Sequence, residues 1–423
     1  MEKVGQIPLS LSAYILFFCF RIIWIYEAIT KQRKEKKKTM LNIGVIGVGN
    51  TGNQVAVLAK ETLGIDAMAI NSSNKDLETV TEGVTKYLIT DASGSSQGAG
   101  KNRALAKTYL KESVMKFLSD ENIKDWPRHK DIVFIVGSTG GGTGSGIAPL
   151  MLTLMSKTYV DTLFILVGVG PVHSEALSAH VNTLEYLNEL YGKIPNARYM
   201  LYDNDNFAKE PSYQMMEHVN QEIVQDMKVI AGAYNFSTKY DSIDTEDGLR
   251  LVSFPGRIAV ARVENVKEKD LDSGSLEERL IQQIKSNAHM ELERDKKVMA
   301  TGLIMNLSDQ FMADFNNHIP RVHEFIGEPV HEFLHVHINA DRKDPNSVYL
   351  IMSGLSPVND KIVKINERIE EIEERQRIQM EDNALNAEKL GELSSMIGKN
   401  DGRNVSNTSE EVDIKSLFGD FGV

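Results

Sequence analysis

The sequence predicts an α/β fold, a Rossmann-like and mostly parallel sheet followed by a second, mixed α/β domain. Three observations predict it. From Met40 short apolar runs alternate with helical patterns, which is the signature of strands joined by crossover helices. Three of those runs lead into glycine-rich turns, at 47–54, 96–103 and 140–146, where a parallel sheet binds its ligand. At 423 residues the chain is long enough for two cores of ordinary size.

The formal net charge is −12. An acidic surface disfavours direct binding to nucleic acid or anionic lipid, so a link to DNA would require an adaptor. Cys19 is the single cysteine, which excludes a disulfide framework and a cysteine-based metal site and fits a reducing cytoplasm.

Residues 1–39 differ in character from the rest of the chain. The run Ile15–Tyr26 is apolar except for Cys19 and Arg21, and the basic stretch Lys31–Lys38 comes after it. As a membrane span it is short and interrupted by Arg, and no small-residue cleavage site marks it as a signal peptide. The expectation is that the folded protein begins at Met40, and that membrane association arises only if residues 1–39 belong to it.

The expected strands are Leu41–Gly47, Ile65–Asn71, Lys86–Thr90, Asp131–Gly137, Thr162–Gly168 and Arg198–Tyr202, with helical patterns such as Asn102–Leu118, Glu175–Leu190 and Ser212–Ile230 between or after them. The run Gly140-Gly141-Gly142-Thr143-Gly144-Ser145-Gly146 joins an apolar strand to an apolar helix. With so few Cβ atoms its N–H groups can approach an anion, and the helix behind it presents its positive end. The turn Gly47-Val48-Gly49-Asn50-Thr51-Gly52-Asn53-Gln54 has the dinucleotide spacing G-x-G-x-x-G. The acid that should close the second strand is missing, because Asn71 and Ser72 stand there. A Walker loop is absent too, since Asn102 follows Gly100-Lys101. Three convergent backbone nests suit a di- or triphosphate.

These residues resemble the tubulin/FtsZ superfamily of polymerising GTPases. Gly140–Gly146 matches the superfamily's signature loop, Gly98-Ala99-Gly100-Lys101-Asn102 resembles its γ-phosphate loop, and Gly49-Asn50-Thr51-Gly52-Asn53-Gln54 resembles its first nucleotide loop. Asn71 stands where FtsZ has the Asn of a nucleotide motif. The resemblance implies bound GTP or GDP with Mg2+, held by Gly49, Asn50, Thr51, Asn53, Asn71, Gly98, Ala99, Gly100, Lys101, Asn102, Gly140, Gly141, Gly142, Thr143, Gly144 and Ser145. It also makes Glu175 a ribose contact, Asn204 a sugar or base contact and Asn220 the reader of guanine. Taken one at a time and without the resemblance, each Asn reads first as a turn or cap residue.

After the central helix, Asp241, Asp244, Glu246 and Asp247 crowd one short stretch. Such a run reads as a solvated loop or a helix start. By resemblance it falls where the superfamily places the segment that completes the next subunit's active site, with Ser242 in place of the usual Asn. Asp244 and Asp247 are the expected catalytic acids, since a carboxylate can hold the attacking water.

The second domain is expected to contain strands Arg257–Val263, Val298–Asn306, Phe333–Ile338 and Ser347–Ser353, with helices Leu276–Lys285 and Ser308–Asn316. His331-Glu332-Phe333-Leu334-His335 spells H-E-x-x-H, but residues 334–339 alternate with period two as a strand does, so no metal site is expected. A long charged helix from Val358 to about Met396 carries one apolar seam, Ile362, Ile365, Ile369 and Ile372. The terminus places Ile414, Leu417, Phe418 and Phe421 on one helical face, as a docking peptide or as a tail that packs on its own subunit.

The expected organisation is an N-terminal extension (1–39), a GTP-binding domain (40–210), a central helix (211–231), an acidic loop with its helix (232–256), a second α/β domain (257–357), a long helix (358–396) and a tail (397–423). The resemblance implies a cytoplasmic GTPase that assembles with itself into head-to-tail filaments. The first loop, Asp203-Asn204 and the long C-terminal helix resemble the TubZ-like branch, which implies segregation of plasmid or phage DNA through a DNA-binding adaptor docked on the tail. The alternatives are an FtsZ-like division-ring protein and, in another class, a dinucleotide-dependent enzyme that does not polymerise.

Overall fold

A computed structural model describes residues 40–232, 242–266, 275–285, 288–290, 297–338 and 345–398. The N-terminal extension, Asp241 and the docking motif of the tail lie outside the described residues.

The first half alternates as its sequence demands: β1 (Ile43–Val48), α1 (Gly49–Leu63), β2 (Asp66–Asn71), α2 (Asn74–Glu78), β3 (Thr85–Leu88), α3 (Arg103–Ser119), β4 (Ile132–Ser138), α4 (Thr143–Thr158), β5 (Leu163–Gly170), α5 (Leu177–Lys193), β6 (Arg198–Asp203) and α6 (Ser212–Ile230). The second half contains α7 (Thr245–Val252), β7 (Gly256–Val266), α8 (Ser275–Lys285), β8 (Ala300–Leu307), α9 (Asp309–Ile326), β9 (His331–Ile338), β10 (Asn346–Leu355) and α10 (Asn359–Gly398). Contacts divide the chain into a main unit ending at Ile369 and a second unit from Glu370, which holds the later turns of α10.

All ten strands form one sheet in the order β3-β2-β1-β4-β5-β6-β7-β10-β8-β9. Strands β1 to β6 run parallel, whereas β10 is antiparallel to both β7 and β8. Every residue of β1 is buried, because a parallel strand is covered on both faces and therefore reads as a continuous apolar run. Helices α1, α6 and α7 cover one face through Val55, Ala59, Val219, Ile223, Met227 and Leu251. Helices α3, α4 and α5 cover the other through Leu110, Phe117, Met151, Met155, Tyr186 and Leu190, joined by Val358 and Ile365 at the start of α10. The strand order reverses between β1 and β4, which opens a crevice at their carboxyl ends.

Two helices depart from the expected boundaries. The helix expected at Glu175 begins at Leu177, so Glu175 stays in the preceding turn. Helix α9 runs ten residues past Asn316 and contains Pro320; Val322 and Ile326 are buried and extend its apolar face beyond the polar residues at 316–318. The two halves share the sheet, because β6 pairs with β7 through Arg198↔Gly256 and Tyr199↔Arg257. Arg257 is 1% exposed at this seam, and its guanidinium donates to the carbonyls of Met290 (2.9 Å) and Ser356 (3.3 Å).

Candidate functional site: a glycine-lined cavity beside an amide-lined one

The crevice holds a cavity of about 340 Å³. Gly49, Asn50 and Thr51 enter it from the start of α1, and Asn71 from the end of β2. Gly98, Ala99, Gly100 and Lys101 come from the loop before α3, while Gly140, Gly141, Gly142, Thr143 and Gly144 come from the loop that opens α4. Glu175 lines it from the β5–α5 turn. Gly49 has φ +73°, in the region that favours glycine, which lets the chain turn from β1 directly into a helix. The amino end of α4, a sixteen-residue helix, opens on the same space, and its unsatisfied N–H groups and dipole favour an anion there.

Polar side chains fix the rim. The Asn71 Oδ1 accepts from Ser73 N–H at 3.2 Å and its Nδ2 donates to Asp76 at 3.3 Å. The hydroxyls of Ser72 and Thr143 lie 2.7 Å apart, tying β2 to α4. Glu175 accepts from Val172 N–H at 3.3 Å, which orders the turn it belongs to. Among the described residues that line the cavity, Lys101 is the one basic side chain; Asp76 and Glu175 are the acids.

A second cavity of about 400 Å³ lies between α1 and α6 and shares Asn50 with the first. Asn53, Gln54, Tyr213, Glu217 and Asn220 line it. The Asn220 Nδ2 donates to Gln54 Oε1 at 3.4 Å, and both polar atoms of the Asn53 amide are buried without a hydrogen-bond partner. Tyr213 is 65% exposed, with its ring at the edge of this space. The arrangement offers phosphate-sized backbone nests on one side and amides able to read a purine edge on the other.

Three expected contact residues lie outside both cavities. Asn102 caps α3, accepting from Leu105 N–H at 3.0 Å. Ser145 is buried and its hydroxyl donates to the Gly141 carbonyl inside the signature loop. Asn204 opens the short 3-10 turn after β6, and its Oδ1 is buried without a partner. Sequence reasoning did not single out Ser72, Asp76 or Tyr213, and it placed Gln54 in the first nucleotide loop without a role; the position of Tyr213, about two helical turns before Asn220 on a predicted helix, carried a usable signal.

The β5–α5 and β6–α6 turns are bolted to the start of α10. Lys361 Nζ lies 2.7 Å from Asp203 and 2.9 Å from Asp205. Asp205 accepts from His173 N–H at 2.6 Å, and Arg368 donates to the His173 carbonyl at 3.0 Å. Burial pushes the Asp203 carboxyl above the usual carboxylate range despite Lys361 beside it. For Lys361 burial works against the charge, but the two carboxylates outweigh it and raise its pKa.

The acids at 244 and 247 stand elsewhere. They open α7, and Asp244 lines a small space with Leu41 and Gly248, next to the amino end of β1. The glycine cavity sits at the other end of that six-residue strand, about 20 Å away along the strand axis. The H-E-x-x-H segment lies on β9 as its alternation predicts. His331 stacks on Phe254 with ring centres 5.1 Å apart, and His335 Nδ1 accepts from Ile243 N–H at 3.3 Å. Burial, with His337 nearby, lowers the His335 pKa to about 4. Among the described residues no cluster of His, Cys, Asp and Glu could hold a metal ion by itself, and no helix is long and apolar enough to cross a membrane.

Residues 42–210 match the Tubulin/FtsZ family, GTPase domain. The Tubulin-like protein TubZ of Clostridium botulinum C phage is 23% identical over 406 residues, covering 91% of this chain and 99% of that protein. The Tubulin-like protein CetZ of Pyrococcus abyssi is 24% identical over 236 residues, 54% of this chain and 63% of that protein. The solved GDP-form protofilaments of Bacillus thuringiensis serovar israelensis TubZ superpose with a TM-score of 0.66 at 18% identity, covering 82% of this chain and 94% of that one. The tail-truncated TubZ of Clostridium botulinum phage c-st gives 0.63 at 20% identity, with 79% and 98% covered. Residues 42–210 thus match the GTPase domain of the Tubulin/FtsZ family, and the chain shares the fold of the solved TubZ structures.

Proposed function

We propose that the protein binds GTP in the paired cavities, assembles head to tail into filaments, and hydrolyses GTP with acids supplied by the next subunit. The observation that supports this reading is that the space lined by Asp244 and the glycine cavity lie at opposite ends of strand β1. Stacked copies would bring Asp244 and Asp247 of one subunit to the glycine cavity of its neighbour. A contact between two unlike faces does not close on itself, so it propagates a filament and couples assembly to hydrolysis.

In this reading the loops at 98–102 and 140–144 take the phosphates, Lys101 offsetting part of their charge, and Glu175 takes the ribose. The guanine lies in the second cavity, with Asn220 and Asn53 as hydrogen-bonding partners and the Tyr213 ring against its face. Phosphate-bound Mg2+ needs one or two carboxylates beside oxygen donors; Asp76, Glu175 and the hydroxyls of Thr51 and Thr143 fit that donor set. Mg2+ would supply charge neutralisation at the transferring phosphoryl group. The cellular role is segregation of plasmid or phage DNA in the cytoplasm, through a DNA-binding adaptor docked on the C-terminal tail. The end-to-end likeness to a phage TubZ and the net charge of −12, which disfavours direct DNA contact, support it.

Right-angle light scattering of the purified chain with GTP, GDP or NAD, followed by electron microscopy, tests the reading. Scattering that appears with GTP and decays as phosphate is released is the expected result. Tight NAD binding without scattering would overturn it in favour of a dinucleotide enzyme.

A further inference from the structure

The two loops read as phosphate-binding meet over one buried side chain. Asn182 on α5 is 8% exposed, and its Nδ2 donates to the carbonyls of Lys101 (2.9 Å), Gly140 (3.1 Å) and Gly141 (3.2 Å). All three partners can only accept, so it is the NH2 end of the amide that faces them. Two N–H groups serve three acceptors, which makes one of these bonds shared. Lys101 has φ +63°, a left-handed conformation that a residue with a Cβ adopts at a cost, and the Asn182 bond holds the carbonyl of that residue.

The same face of α5 grips the region once more. Glu185 and Glu189, one and two turns beyond Asn182, accept from the Arg103 guanidinium at 3.0 and 2.9 Å. Arg103 is 5% exposed and also donates to the Ser145 carbonyl at 2.9 Å. Helix α5 therefore acts as a template: Arg103 fixes the base of both loops, and Asn182 fixes their tips.

We propose that Asn182 is a positioning residue that sets the 98–102 loop against the 140–144 loop, and so lets the site distinguish GTP from GDP. This rests on the reading that the cavity binds a guanine nucleotide with its last phosphate toward the 98–102 loop. A diphosphate depends less on the clamp, because the 140–144 loop that holds it is also tied through the Ser138 hydroxyl, which accepts from Gly140 N–H, and the Ser145 hydroxyl, which donates to the Gly141 carbonyl. A triphosphate needs the second loop in register.

The test is calorimetric titration of GTP and GDP into the purified full chain and into Asn182→Asp, an isosteric change that turns donors into acceptors facing three carbonyls. The expected result is a loss of GTP affinity of about tenfold or more with a clearly smaller loss for GDP, the scale of a lost hydrogen-bond network. Asn182→Ser, which keeps one O–H donor, should fall between the two. Equal weakening of GTP and GDP, or no change in either, overturns the proposal. Should Asn182→Asp fail to fold, the same comparison on Asn182→Ser decides it by the same criterion. Parent protein that binds neither nucleotide overturns the reading of the cavity itself, and that result is seen before any substitution is made.

Discussion

One oxygen of Asp244 accepts the backbone N–H of Asp247 at 3.0 Å and that of Glu246 at the same distance, so the first of the two candidate acids is the cap of the helix that carries the second. The Asp247 carboxylate has no hydrogen bond or ion pair among the described residues, which leaves it able to hold a water molecule on a neighbouring subunit. The roles separate by substitution. Asp247→Ala should leave GTP binding intact and slow hydrolysis by roughly 10²-fold or more, the usual worth of a positioned base, while filaments persist longer. Asp244→Ala should cost about 1 kcal/mol of stability through the lost cap, and Asp244→Ser should recover it. Phosphate release per assembled subunit and chemical denaturation read the two effects; unchanged release in Asp247→Ala would remove that residue from the mechanism.

What the sequence made legible was whatever glycine or periodicity alone demands. The loop at 140–146 needs bare backbone, because a Cβ on Gly144 would lie 2.9 Å from both Ser138 N and O, and β1 must be apolar at every position to be covered on two faces. The remainder depends on contacts distant in sequence. Nothing local marks Asn182 as a clamp, since its partners lie 81, 42 and 41 residues away. The joining of the halves into one sheet rests on two residue pairs between β6 and β7, too few to leave a pattern. The polar stretch at 316–318 concealed the continuation of α9, which only the burial of Val322 and Ile326 explains.

Lys361 should be the most costly single residue to lose outside the cavities. Its side chain is 11% exposed, and removing the ammonium as Lys361→Met leaves Asp203 buried without its cation, a change that costs about 3 kcal/mol in comparable sites. The pH dependence has a definite sign. Burial already raises the Asp203 carboxyl, and without Lys361 it rises further. The folded variant then takes up a proton before the unfolded chain does, so stability is regained as the pH falls through the folded pKa, and the gain is complete below the ordinary value of about 3.9. Urea denaturation of Lys361→Met between pH 7 and pH 4 should show this recovery, and Asp203→Asn/Lys361→Met should show none.

His335 makes the opposite prediction at the acid edge of the sheet. With its pKa lowered to about 4 against about 6.5 in an unfolded chain, it binds a proton in the unfolded state first. Its contribution to stability is complete above about pH 6.5 and is lost as the pH falls toward 4. Protonation also removes the acceptor for Ile243 N–H, the residue before the Asp244 cap. Hydrolysis by assembled protein should therefore fall together with stability in that window. His335→Asn, which keeps an acceptor without the titration, should flatten both profiles; an unaltered acid slope in that variant would assign the effect to other groups.

Two neighbouring glycines should respond differently to the same methyl group. A Cβ on Gly142 would stand 2.9 Å from Asn102 N and from the Lys101 carbonyl carbon and Cα, all backbone, whereas one on Gly141 would meet only the Ser138 side chain at 3.9 Å. Backbone on both sides cannot give way without moving the 98–102 loop off the 140–144 loop. Gly142→Ala should therefore lower GTP affinity by about tenfold or more, the loss expected when a preorganised nest is opened by a few tenths of an ångström. Gly141→Ala should retain binding within about threefold, a difference below 1 kcal/mol. Paired GTP titrations of the two variants decide it, and equal losses would mean that the contact between the loops is not what shapes the site.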